Sequence, residues 1–197
     1  MKKIAVMGVH SSGKTTLAYL LSAYFKMKDL NVKLIHESVR ENCPFPINDK
    51  ATQQTCLWNF HTQFLNELEA ESQGYQLAIC DRSVIDTFVY YHAVNPATSI
   101  TKSALNQAAD WLITYDAIVC LEPHSQVKIF NDGIRSMDKS YQQLINEEFK
   151  KIIAHYGTLI KERIFFGTSD DVFSNDKRVE LIKKIEQRVF FETRLKT

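Results

Sequence analysis

The stretch Gly8-Val9-His10-Ser11-Ser12-Gly13-Lys14-Thr15 constrains this chain more than any other. A glycine, four residues, then Gly-Lys-Thr is the spacing of a loop that wraps a phosphate group. The apolar run Ile4-Ala5-Val6-Met7 precedes it and has the length of one buried strand. Leu17, Leu20, Leu21, Tyr24 and Phe25 follow at the spacing of one helix face. The loop therefore joins a strand to a helix, and that context favours it over a serine-capped turn. Its glycines let successive N–H groups point into one cavity, and the helix N-terminus adds partial positive charge. Lys14 then reaches the outer phosphates of a nucleotide, and the Thr15 hydroxyl is placed to ligate Mg²⁺. Gly8, His10, Ser11, Ser12, Gly13 and Thr16 complete the expected nucleotide-binding set.

Five apolar runs, at 4–7, 32–36, 77–80, 117–121 and 164–166, alternate with amphipathic helical stretches. Almost wholly apolar strands separated by helices predict an α/β sandwich, a parallel sheet covered on both faces. At 197 residues the chain is expected to form one domain over 1–197. A net charge of +1 disfavours a nucleic-acid-coating or membrane-surface role. The start, Met1-Lys2-Lys3, runs directly into a strand and carries no signal-peptide pattern. Cys43, Cys56, Cys80 and Cys120 form no C-x-x-C pair, so reduced thiols and a cytoplasmic location are expected.

Ligands of such sheets bind beyond the carboxyl ends of the strands. After the second run come Glu37 and Arg40, candidates for a base at an acceptor hydroxyl and a holder of an anionic group. The following helix, expected to open near Lys50, carries Gln54 and Trp58, which suit the edge and face of a heterocycle. After the third run, Asp81 is placed to meet Mg²⁺ and Arg82 to meet transferring phosphate, with Ser83 free to cap the next helix. The Asp132-Gly133-Ile134-Arg135 turn has the makeup of a lid, at about 130–140, whose Arg135 closes over the nucleotide. Gly167 follows the fifth run, in a small-residue loop that lets a purine approach the backbone.

Together the 8–15 loop, Glu37 with Arg40, Asp81-Arg82-Ser83 and the Asp-Gly-x-Arg turn resemble the nucleoside and nucleotide kinase group of P-loop kinases. Within it the chain looks most like the nicotinamide-riboside kinase domain of bifunctional NAD-biosynthesis regulators and the related ATPase family. The resemblance implies a five-stranded parallel sheet in the order 2-3-1-4-5, with ATP and Mg²⁺ at the loop. It also implies that Lys14, Glu37, Asp81, Arg82 and Arg135 are catalytic, with Thr15 and Asp81 at the metal. Glu37, Arg40, Gln54, Trp58 and Arg82 would face the acceptor.

The leading expectation is an ATP- and Mg²⁺-dependent kinase acting on the 5′-hydroxyl of a nucleoside-like molecule, nicotinamide riboside or a deoxynucleoside. Glu37 favours a hydroxyl acceptor, whereas Arg40 favours a nucleoside monophosphate, as in thymidylate kinase. A nucleotide-hydrolysing regulator is the alternative of another class, although no Asn-Lys-x-Asp guanine element follows a late strand.

Overall fold

A computed structural model describes residues 1–37, 42–123 and 138–191. Five strands, β1 (Lys2–Gly8), β2 (Val32–Ile35), β3 (Leu77–Asp81), β4 (Ala117–Glu122) and β5 (Ile164–Thr168), pair in parallel in the order β2-β3-β1-β4-β5. The strand order is the one the family resemblance implies. Among the described residues the α-helices are α1 (Lys14–Lys26), α2 (Gln53–Ser72), α3 (Asp86–Val94), α4 (Ser99–Leu112), α5 (Lys139–Ile160), α6 (Ser169–Phe173) and α7 (Asn175–Phe190).

Strand alternation divides the core in two. Ala5, Met7, Ala78, Cys80, Ile118 and Cys120 point to one face and pack with α2 through α5. Ile4, Val6, Ile79, Val119 and Leu121 point to the other and pack with α1, α6 and α7. Each central strand is buried on both sides, which explains its continuous apolar run.

Several local expectations change. Helix α2 opens at Gln53 rather than near Lys50, because Thr52 and Thr55 close a reciprocal capping box there. A single 3-10 turn, Asn48–Lys50, precedes it. Helix α3 begins at Asp86 with no side-chain cap, so Ser83 does not cap it. The fifth strand runs past Phe166 and includes Gly167, which pairs with Leu121 inside the sheet instead of sitting in a loop. Helix α4, opened by a second threonine capping box at Thr98 and Thr101, lies in a stretch where no element was expected. Cys56, Cys80 and Cys120 are buried and Cys43 half-buried, all as free thiols. Among the described residues no helix is long and apolar enough to cross a membrane.

Candidate functional site

The turn out of β1 can be built only with glycine at its first position. Gly8 has φ +132°, and a Cβ there would lie 2.2 Å from the Leu121 carbonyl oxygen on β4. Ser11 (φ +63°) and Gly13 (φ +91°) also adopt left-handed backbone, so the chain reverses its curl twice within six residues. Gly13 is the N-cap of α1, which has no side-chain cap and no acidic residue in its first turn. Its leading N–H groups are thus open at the positive end of the helix dipole. The Ser11 and Ser12 hydroxyls are buried without a hydrogen-bond partner among the described residues. α6 braces the loop from behind, with Val172 and Phe173 at contact distance from where a Gly13 Cβ would sit.

Lys14 is buried, and its ammonium donates to the Val9 carbonyl at 2.7 Å across the same loop. Burial, followed by the nearby Arg82 charge, pulls its pKa from 10.5 down to about 7; Glu37, Asp86 and Asp81 act in the opposite sense. Thr15 is half-buried in the first turn of α1, and Thr16 is exposed beside it. His10 contributes its backbone to the loop, but its ring is 5% exposed and stacks on Tyr141 at 6.0 Å, away from open space.

β3 delivers the next group. Asp81 pairs in register with Val6 of β1, and its Oδ1 is buried without a partner among the described residues. No cluster of three metal-ligating side chains occurs among the described residues. An Mg²⁺ that draws most of its ligands from phosphates and water requires only one or two protein groups. The orphaned Asp81 oxygen and the hydroxyl of Thr15 fit that requirement.

Arg82 follows with φ +116°, a conformation that is costly for a side chain with a Cβ. Its guanidinium is held on three sides: Nε donates to Glu37 Oε1 at 2.6 Å, Nη1 to Asp86 Oδ1 at 3.3 Å, and the plane lies 4.7 Å over the Tyr90 ring. Asp86, which the sequence left unplaced, is buried and accepts from both the N–H and the hydroxyl of Ser83. Burial pushes the Asp86 carboxyl up, while Arg82 and Ser83 work against that rise. Glu37 and Arg82 therefore form one ion pair instead of two separate groups.

This pair forms one wall of a cleft of about 720 Å³, measured with its open mouth, between α2 and α3. Thr55, Asn59 and Gln63 of α2 form the opposite wall, and Thr87 and Tyr90 of α3 complete it. Gln54 is exposed and Trp58 half-buried, and neither lines the cleft. They are one residue off the helical face that does, at 55, 59 and 63. Arg40 and Arg135, with most of the 130–140 turn, lie outside the described residues. Sequence reasoning missed Asn59 and Thr55 altogether; the one available signal was the polar residue at every fourth position, Thr55, Asn59, Gln63 and Glu67, on a helix that carries polar residues on its other faces too.

A family profile described as an AAA domain matches residues 3–162. Among solved structures, the chain is similar to a NadR protein in complex with NR, at 20% identity and a TM-score of 0.70. That match covers 96% of this chain but 51% of the NadR chain, so the present chain spans about half of that relative. It is also similar to thymidylate kinase from Ehrlichia chaffeensis, at 20% identity and a TM-score of 0.63, covering 94% of this chain and 98% of the kinase. No curated protein matches the chain. At such identities the two structures establish the shared P-loop kinase-like fold.

Proposed function

The chain belongs to the AAA-domain family over residues 3–162, and we propose that its glycine-framed loop and the cleft beside it make a phosphotransferase. The donor is ATP, and the acceptor is the 5′-hydroxyl of a nucleoside-like molecule, nicotinamide riboside or a deoxynucleoside. One observation carries this reading. The cleft shares its Arg82, Glu37 and Asp86 wall with the surroundings of Lys14, so a second molecule in the cleft lies beside the phosphate-binding loop. A protein that only hydrolysed ATP would not need such a walled second site.

In this reading the open N–H groups at the start of α1 and the Ser11 and Ser12 hydroxyls hold phosphate oxygens. Lys14 exchanges the Val9 carbonyl for an outer phosphate. Thr15 and Asp81 are the residues that would hold Mg²⁺, which supplies charge neutralisation at the transferring phosphoryl group. Arg82 presents its remaining guanidinium edge to that group, and Glu37, fixed by Arg82, orients the acceptor hydroxyl and takes its proton. Arg135 keeps the role of lid arginine that the family resemblance implies.

A hydroxyl acceptor is favoured over a monophosphate because the cleft's described walls carry two carboxylates, Glu37 and Asp86, against one guanidinium. Both carboxylates already engage that guanidinium. The AAA-domain description keeps an acceptor-free ATPase as the second reading. An ADP-release assay separates them, run with nicotinamide riboside, deoxynucleosides, deoxynucleoside monophosphates and no acceptor. The proposal expects release that depends on a nucleoside. Equal release with and without every acceptor would replace it with the hydrolase.

A further inference from the structure

One buried polar network lies outside the charge cluster at the loop. Its centre is Glu67, in the middle of the buried stripe of α2. Glu67 Oε2 accepts from Lys3 Nζ at 3.0 Å and from Trp111 Nε1 at 2.7 Å. Its Oε1 accepts from the Tyr115 hydroxyl at 2.5 Å and from Gln63 Nε2 at 3.0 Å. The Tyr115 oxygen in turn accepts from the Val84 N–H at 3.2 Å, so its proton is committed to Glu67. Lysine ammonium and indole N–H groups only donate, and the carboxylate is therefore ringed by four donors. The Lys3 charge, 4.1 Å above the Trp111 ring, balances it in a site closed to water.

Gln63 is the member of this network that reaches the cleft. Facing a saturated carboxylate, its amide has one orientation, with Nε2 toward Glu67. Its Oε1 is then the end left over, and no described residue donates to it. Asn59 lies one turn earlier on the same cleft-lining face, and its side-chain Oδ1 is buried without a partner among the described residues. Two amides one turn apart thus line one cleft, Gln63 oriented by Glu67 and Asn59 with a buried oxygen that has no partner among the described residues.

We infer that Glu67, acting through Gln63, sets the specificity of the acceptor cleft: it selects a molecule that offers an N–H donor, from an amino or carboxamide group, over one that offers a carbonyl or carboxylate oxygen at that place. Asn59 turns its amide to serve the neighbouring ring atom. Glu67 touches no acceptor and is a positioning residue. The inference rests on the acceptor-cleft reading given under the proposed function.

The test measures equilibrium binding and kcat/KM of the full chain with matched pairs: cytidine and uridine, adenosine and inosine, nicotinamide riboside and nicotinic acid riboside. The amino or carboxamide member of at least one pair is expected to be favoured by roughly tenfold or more, since a site built to accept an N–H leaves its acceptor unpaired against an oxygen. Gln63→Met should bring that ratio close to one while leaving the Kd for ATP unchanged. The double variant Lys3→Met/Glu67→Gln removes both charges together, lets the amide turn over, and should do the same. Preference for the oxygen-bearing members, or a ratio that survives Gln63→Met, overturns the inference. If paired members are phosphorylated equally well, the specificity inference falls and the kinase reading stands. If no member of any pair binds or raises ADP release, both fall together.

Discussion

Lys14 is the residue whose chemistry is most finely balanced. Burial and the Arg82 charge disfavour its ammonium and bring its pKa down to about 7. A bound polyphosphate favours the ammonium, so the pKa rises on binding. Below pH 7 the lysine is already charged and binding takes up no proton; above it, binding must bring one. Nucleotide affinity should therefore weaken by up to about tenfold per pH unit between about pH 7.5 and 9, where the phosphates, with a second pKa of about 6, are already ionised. Titration calorimetry across that range checks it, and Lys14→Met should show weak, pH-independent binding. Glu37→Gln keeps a hydrogen bond toward Arg82 but removes the base. We expect kcat to fall by roughly 10²–10⁴ with nucleotide affinity nearly unchanged. An unaltered kcat would leave Glu37 only the role of holding Arg82.

Among the elements, α6 is short but backs the Gly13 turn. Five residues long, it sets Val172 and Phe173 against the Gly13 turn, and Val172 is fully buried. Val172→Ala should cost about 2 kcal/mol of stability through lost burial and the space left behind. It should also weaken nucleotide binding, because the loop loses its backing. Urea unfolding and a binding isotherm together check the two effects. α2 shows where sequence periodicity misleads. Leu57, Phe60, Phe64 and Leu68 suggest one apolar face, yet burial follows Cys56, Phe60, Gln63, Glu67 and Ala70. Leu68 and Leu65 are exposed. The helix is rotated to bury a charged pair and an amide that periodicity assigns to solvent, and hydrophobic patterning carries no information about a partner such as Lys3 on a distant strand. The same blindness assigned the cleft to Gln54 and Trp58. The sheet, by contrast, was legible, since strands buried on both faces leave unbroken apolar runs whatever their neighbours.

At the scale of the whole molecule, the loop position and the parallel sheet were readable from one short motif and from the alternation of strands and helices, whereas the strand order came only through the family resemblance. The pairing of Glu37 with Arg82, across 45 positions, was not readable, although both lie at adjacent strand ends. Binding at the junction of both core layers should stabilise the whole chain by mass action. MgADP at a hundred times its Kd should add about 2.7 kcal/mol, raising Tm by roughly 5–10 °C for a chain of this size. Lys14→Met should abolish that shift, and differential scanning fluorimetry reads both.

The bond from Lys14 to the Val9 carbonyl also bears on how fast the site fills. In the proposed function, an arriving phosphate oxygen replaces that backbone oxygen at the lysine ammonium. Arrival is then a swap of acceptors at one ammonium, with no ordering step ahead of it. The association rate should rise linearly with nucleotide concentration in stopped-flow traces, without the plateau that a slow loop rearrangement would impose.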